Sequence, residues 1–308
     1  VSLCYFGTSE HAAVVLRAIS RGPYKPALVI TPVDRPKGRG RKLTPPPVAG
    51  AATELGIPLH QSEDINHDDT QRRIHEAGGH IGLVCAFGQL IGDDILGSIE
   101  ILNIHPSLLP RWRGAAPIER ALMAGDEETG VTIMRLVAEL DAGPIAFQER
   151  LRIDPGEDFG SLDGRLSALG AKMALNALET HATDRLPWRA QPVEGVTYAE
   201  KIDRSERLLD PGRPADELAR VVQALTPHIG AQLPLEGGER LGVRRARAVE
   251  RGPAAGELEA GEDEDSLVLG CAAGALRIER VLPAGAREQS VAEYLRGRGL
   301  PALGAPEA

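Results

Sequence analysis

Asn103 and His105 stand two residues apart in the stretch Asn103-Ile104-His105-Pro106-Ser107-Leu108-Leu109-Pro110-Arg111-Trp112-Arg113-Gly114. On a β-strand that spacing turns both side chains to one face. A second polar point, Asp141, lies between apolar neighbours and a glycine turn in Leu140-Asp141-Ala142-Gly143. Brought together, these three groups can carry acyl transfer without a serine or cysteine nucleophile. The amide donates to the oxygen that turns negative as the carbonyl is attacked. The imidazole moves the proton off an attacking amine, and the carboxylate fixes its tautomer and supports its charge. Taken one at a time, the same residues also suit plain structural tasks: a turn cap, a satisfied polar group, a turn aspartate. No metal site is expected, because His105 and Asp141 lack a third ligand at a suitable spacing.

The elements that must position these residues follow an alternating order. Strands are expected at residues 2–6, 27–31, 57–60, 81–87, 101–104 and 130–136. Helices are expected near 9–20, 48–55, 66–78, 117–124 and 161–179. Near-continuous apolar strands separated by helices predict an α/β fold, a Rossmann-like, mostly parallel sheet with helices on both faces. In such a sheet ligands bind outside the carboxyl ends of the strands, which is where His105 falls. Pro106 and Pro110 restrict the loop that follows. Gly7-Thr8-Ser9-Glu10-His11 is a strand-to-helix turn without the G-x-G-x-x-G pattern, so a dinucleotide site has little support.

The polar segment 182–192, with Pro187 and Pro192, reads as a connection between domains. Beyond it come one helix (214–225) and short strands near 231–235, 240–249, 255–259, 266–270 and 275–282, the rhythm of a small β-barrel or sandwich. The expected division is residues 1–183, a linker at 184–202, and 203–308.

The whole chain of 308 residues carries 35 Lys and Arg against 44 Asp and Glu, a net charge of −9. That excludes indiscriminate coating of nucleic acid or an anionic membrane. Positive charge is instead local. Arg35 to Lys42 holds five cations in eight residues, interleaved with Gly38 and Gly40, and Arg240 to Arg251 holds a second cluster. Glycines between arginines let a loop follow an irregular phosphate surface. Cys4, Cys85 and Cys271 share no short spacing and read as buried hydrophobes. The apolar runs stop short of the ~20 residues of a membrane span, and the first residues read as a core strand and not as a leader. The cell interior is the expected address.

Asn103 to Gly114, continued by Ala115-Ala116-Pro117-Ile118, Gly130-Val131-Thr132-Ile133-Met134 and Asp141-Ala142-Gly143-Pro144-Ile145, resembles the methionyl-tRNA formyltransferases, within the wider folate-dependent formyltransferase family. The resemblance runs through nearly the whole chain, including Phe6-Gly7-Thr8, Asp34-Arg35-Pro36, Ala86-Phe87-Gly88-Gln89 and Val281-Leu282-Pro283-Ala284-Gly285. It implies catalysis by Asn103, His105 and Asp141. The formyl group of 10-formyltetrahydrofolate would pass to the amine of methionyl initiator tRNA by direct attack, through a tetrahedral intermediate. It also implies a folate pocket that includes Phe87, Gly88, Gln89 and Leu90 and the loop Ser107, Leu108, Leu109 and Pro110. Contacts to tRNA are implied for Arg39, Arg41 and Lys42, and for Arg245 and Arg247 on an oligonucleotide-binding (OB-like) C-terminal barrel. A cytoplasmic monomer with no membrane partner completes the expectation.

The chain departs from the family pattern at Ser9, His11, Gly92 and Arg287. The triplet alone does not separate this activity from formyl transfer to glycinamide ribonucleotide or an amino sugar. The run Arg111 to Ile118, the basic loop and the second domain favour tRNA, and the intact triplet argues against a protein that only binds RNA.

Overall fold

Leu3–Gly7 forms β1, buried along its whole length, and Ser9 starts α1 (Glu10–Ile19) by accepting a hydrogen bond from the Ala12 N–H at 3.3 Å. The computed structural model describes residues 2–37, 40–262 and 264–304. After α1 come β2 (Leu28–Pro32), a hairpin of β3 (Arg35–Lys37) and β4 (Lys42–Thr44), α2 (Pro47–Glu54) and β5 (Leu59–Ser62). Next are α3 (Asp68–Glu76), β6 (Ile81–Cys85), α4 (Asp93–Ser98) and β7 (Glu100–His105). The short β8 (Arg113–Gly114), α5 (Pro117–Ala124), β9 (Glu128–Arg135), β10 (Ile145–Arg152), α6 (Phe159–His181) and β11 (Tyr198–Ala199) follow.

Seven strands make one sheet in the order β10-β9-β7-β6-β1-β2-β5. The five from β7 to β5 are parallel, while β9 runs antiparallel to β7 and β10 antiparallel to β9. The path leaves β1 in one direction, through β2 and β5, and returns in the other through β6 and β7. Right-handed crossovers then place α1 and α2 on one face and α3 and α4 on the opposite one. The core on the second face joins Cys4, Phe6, Leu28 and Ile30 of the sheet to Ile74 of α3 and Ile95 of α4. The switch of direction falls between β1 and β6, where ligands of such sheets collect.

Residues 184–199, expected to link two domains, belong to the first unit. Arg189 exchanges backbone hydrogen bonds with Ile145 at 2.8 and 3.0 Å, and β11 pairs in parallel with β8. By compactness the chain divides into a unit built from the chain up to Pro117, Glu128–Arg152 and Asp163–Ala199, and a unit built from Ile118–Glu127, Ile153–Leu162 and the chain from Glu200 on. The two early excursions are tied into the second unit. The His228 ring stacks on Phe159 with centroids 3.6 Å apart and pairs with Glu119 at 2.9 Å, and Arg220 donates to the Met123 carbonyl.

In the second unit, α7 (Ala215–Leu225) packs Leu218, Val222 and Leu225 against a curled antiparallel sheet. Its strands are β12 (Ala231–Pro234), β13 (Arg240–Val249), β14 (Leu258–Ala260), β15 (Leu267–Gly270), β16 (Ala275–Leu282) and β17 (Gln289–Ser290), before a last helix, α8 (Val291–Arg298). Their order is β12-β13-β16-β15-β14, with β17 beside β16. The sheet stays open, since β12 and β14 are its two edges, and so forms half of the expected barrel.

Three of the four departures from the family pattern have local structural partners in these elements. Ser9 is the α1 cap. Gly92 donates its N–H to Asn66 Oδ1 at 2.6 Å, a bond that proline could not make. Arg287 pairs with Glu293 at 3.2 Å, in the capping box that opens α8. All three cysteines are buried and free, and burial pushes the Cys4 thiol up to about 11.

Candidate active site

Strand β7 lies between β6 and β9, so its end is positioned from both sides. Asn103 sits beside Val84 and Met134, and His105 beside Thr132. Both side chains are buried. Asp141 reaches them from the turn after β9, with a φ of 46°. That left-handed conformation is one that Asp tolerates better than most residues. Gly143, two residues later, lets the turn pass the Arg135 carbonyl, which a Cβ would strike.

The three side chains meet. Asn103 Nδ2 donates to Asp141 Oδ1 at 3.3 Å, and Asp141 Oδ2 lies 3.7 Å from His105 Nδ1. The Gly114 N–H donates to Asp141 Oδ2 at 2.8 Å. Gly114 has a φ of 118°, and a Cβ there would come within 2.8 Å of the Ala199 carbonyl oxygen. Only glycine suits that backbone and that approach.

One assignment differs from the sequence reading. His105 Nε2 is 2.8 Å from the Trp112 carbonyl oxygen, and a carbonyl can only accept, so Nε2 carries the proton of the neutral ring. The tautomer is therefore fixed by Trp112, whose φ of 64° belongs to the same left-handed region. Asp141, beyond hydrogen-bond distance, is left to support the ring once Nδ1 has gained a proton.

The loop from His105 to Trp112 is held by its own polar groups. Ser107 Oγ donates to the Arg111 carbonyl at 2.7 Å. Thr132 Oγ1 accepts from the Leu109 N–H and donates to the Ser107 carbonyl, while Gln148 Nε2 donates to the Leu109 carbonyl. Leu109 packs on Met134 and Ile145. Ser107 and Leu109, expected to line a folate pocket, are buried and engaged in building the loop. Leu108 and Pro110 keep partly accessible surface.

The other pocket segment projects from the switch point. Phe87 is buried edge-to-face against Phe6, with centroids 5.9 Å apart, and its carbonyl accepts from Thr8 Oγ1. On either side Ala86 and Gly88 take positive φ and are exposed, and the Ala86 carbonyl accepts from the Thr8 N–H at 3.2 Å. Gln89 Oε1 accepts from the Ile65 N–H, while its Nε2 is buried without a hydrogen-bond partner among the described residues. Leu90 is 80% exposed. An orphan donor and an exposed leucine beside it suit a flat, partly polar heterocycle.

Among the expected RNA contacts, Arg41 and Lys42 are exposed on the β3–β4 hairpin, with Lys42 opposite Lys37. Arg39 lies outside the described residues. Arg245 and Arg247 share one exposed side of β13, but both pair with Glu279, each at 3.1 Å. Sequence reasoning missed Gly114, whose contribution is a main-chain N–H, and Gln191, whose side-chain amide holds the carbonyls of Asp141 and Gly143. A cleft of about 460 Å³ beside Asp141 is lined by Arg113, Glu139, Pro144, Gln191, Val193 and Tyr198, among others.

Comparison with known proteins identifies the family. Residues 2–178 match the formyl transferase family and residues 201–299 the formyl transferase C-terminal domain. The methionyl-tRNA formyltransferase of Halorhodospira halophila is 40% identical over 97% of this chain and 96% of its own length. That of Neisseria gonorrhoeae is 37% identical over 98% and 99%. In fold, the chain is similar to WlaRD, a sugar 3N-formyl transferase solved in the presence of dTDP and 5-N-formyl-THF. There the TM-score is 0.66 at 17% identity, covering 93% of this chain and 99% of that one. The chain belongs to the methionyl-tRNA formyltransferase family.

Proposed function

We propose that Asn103, His105 and Asp141 transfer the formyl group of 10-formyltetrahydrofolate to the amine of methionyl initiator tRNA. The meeting of the three side chains at the end of β7, with His105 Nδ1 facing Asp141 at 3.7 Å, carries the reading. The neutral amine forms a bond to the formyl carbon, and Asn103 donates to the formyl oxygen as it gains charge. His105 Nδ1 takes the amine proton, and Asp141 supports the resulting cation. The bond from carbon to N10 breaks, and the N10 electron pair takes the proton from His105, which returns to the neutral ring. The Ala86–Leu90 segment holds the donor, with Leu108 and Pro110 nearby in sequence to the catalytic histidine.

Arg39, with Arg41 and Lys42 of the β3–β4 hairpin, and Arg245 and Arg247 in the C-terminal domain (203–308), are assigned to the tRNA. On this reading the chain is a cytoplasmic enzyme of translation initiation that acts as a monomer. The test is incubation of the purified protein with 10-formyltetrahydrofolate and methionyl initiator tRNA, reading formylmethionyl ester. Formyl transfer to glycinamide ribonucleotide or an amino sugar, with none to the tRNA, overturns the assignment.

A further inference from the structure

Gln191 uses every polar position of its amide beneath the candidate catalytic turn. Nε2 donates to the carbonyl of Asp141 at 2.7 Å and to that of Gly143 at 2.8 Å. Oε1 accepts from Arg113 Nε at 3.2 Å and Nη2 at 2.9 Å. The Arg113 side chain is itself only 8% exposed, with Glu139 at 3.5 Å on its outer side. Arg113 directly precedes Gly114, whose N–H holds the Asp141 carboxylate. Both attachments of Asp141, main chain and side chain, therefore meet at Arg113.

We propose that Gln191 is a positioning residue for Asp141: its two donated hydrogen bonds hold the turn so that the carboxylate faces His105 and Asn103, and Arg113 holds Gln191 in place. The inference rests on the formyl-transfer reading for its kinetic consequence, but not for its structural one. Gln191 touches no reacting atom in that reading. Its effect falls on the rate of the chemical step and not on substrate binding, because a misplaced carboxylate weakens support for the charge on His105 only as that charge forms.

Two variants separate the donor bonds from the Arg113 contact. Gln191→Leu removes both, whereas Gln191→Glu keeps an acceptor for Arg113 and loses the paired donors. Both are expected to lower kcat on the order of tenfold to a hundredfold, with KM for each substrate within about twofold. Recovery of kcat in Gln191→Glu, an unchanged kcat in Gln191→Leu, or a rise in KM at constant kcat overturns the proposal. Amide hydrogen exchange supplies a readout that needs no turnover. In Gln191→Leu the Gly114 amide should exchange faster while the amides of Leu102 and Ile104 in β7 keep their protection. Unchanged protection at Gly114, or loss spread through β7, overturns positioning in favour of no role or a general structural one. If the unmodified chain forms no formylmethionyl ester while Gly114 responds as expected, the failure belongs to the formyl-transfer reading, and the positioning of Asp141 stands.

Discussion

His105 gives its Nε2 proton to the main-chain carbonyl of Trp112 at 2.8 Å, so the nitrogen turned toward Asp141 is the one with a lone pair to offer. A base built in this way does not depend on the carboxylate to set its tautomer. Replacing Asp141 by Asn should therefore leave the neutral ring unchanged and remove only the charge that supports the cation. Asn also tolerates the left-handed backbone and keeps an acceptor for the Gly114 N–H. Asp141→Asn is expected to fold with near-normal thermal stability and to lower kcat on the order of a hundredfold or more, read in single-turnover formylation. Normal turnover would remove Asp141 from the chemistry.

The exposed hairpin cations make a different kind of prediction. Arg41→Ala with Lys42→Ala should raise KM for methionyl-tRNA, and leave kcat at saturating tRNA close to that of the unmodified protein. For every phosphate that no longer meets a cation, the dependence of log kcat/KM on log salt should flatten by on the order of one unit. An unchanged salt slope would take the hairpin away from the RNA.

Arg245 and Arg247 begin from a weaker position, because Glu279 lies between them and neutralises part of their charge. Exposed pairs of this kind contribute only about 0–1 kcal/mol to stability, so Glu279→Gln should fold normally. If this face meets RNA, freeing the two arginines should tighten tRNA binding at low salt, as measured by filter binding. Adding Arg245→Ala and Arg247→Ala to Glu279→Gln should abolish the gain. No tightening in Glu279→Gln would assign the two arginines to the sheet surface alone.

His11, one of the four departures noted in the sequence, is buried 2.6 Å from Asp163. Burial opposes charge on the ring, but the Cys85 sulfur and the Asp163 carboxylate outweigh it and raise His11 to about 10. A raised value means that the pair stabilises the fold fully below about pH 6.5, the ordinary histidine value. That contribution is lost as pH rises through about 10. Urea unfolding across this range should show the advantage of the unmodified chain over His11→Leu shrinking with rising pH. A difference that stays constant with pH would mean that His11 is held neutral.

Much of the first unit was legible because its strands are buried on both faces and read as unbroken apolar runs. Leu3–Gly7, Leu28–Pro32 and Ile81–Cys85 are of that kind, with every residue buried. β10 escaped notice for the opposite reason. Its residues Ile145–Arg152 lie at the sheet edge and end in exposed charges, so they carry no clean alternation. The β3–β4 hairpin was hidden by composition, since Arg, Pro and Lys hardly suggest strand. In the site, Asn103 and His105 were readable from their two-residue spacing. Asp141 needed an argument from chemistry as well as from its turn. The contributions of Trp112 and Gly114 come from a carbonyl and an N–H, which do not depend on the side chain, so no side-chain pattern could announce them. Gln191 sits in a polar, proline-flanked stretch that resembles any connecting segment until its partners are seen.

The pairing of β11 with β8 ties the candidate site to residues well beyond the main sheet in sequence. A nascent chain that has reached residue 183 already contains Asn103, His105, Asp141 and all seven strands of the main sheet. It still lacks Gln191, and it lacks the edge at Tyr198–Ala199 that takes up Arg113 and Gly114. A fragment cut at the apparent end of the sheet would therefore keep the three side chains of the proposed site without the contacts, some fifty residues beyond the aspartate, that hold their turn.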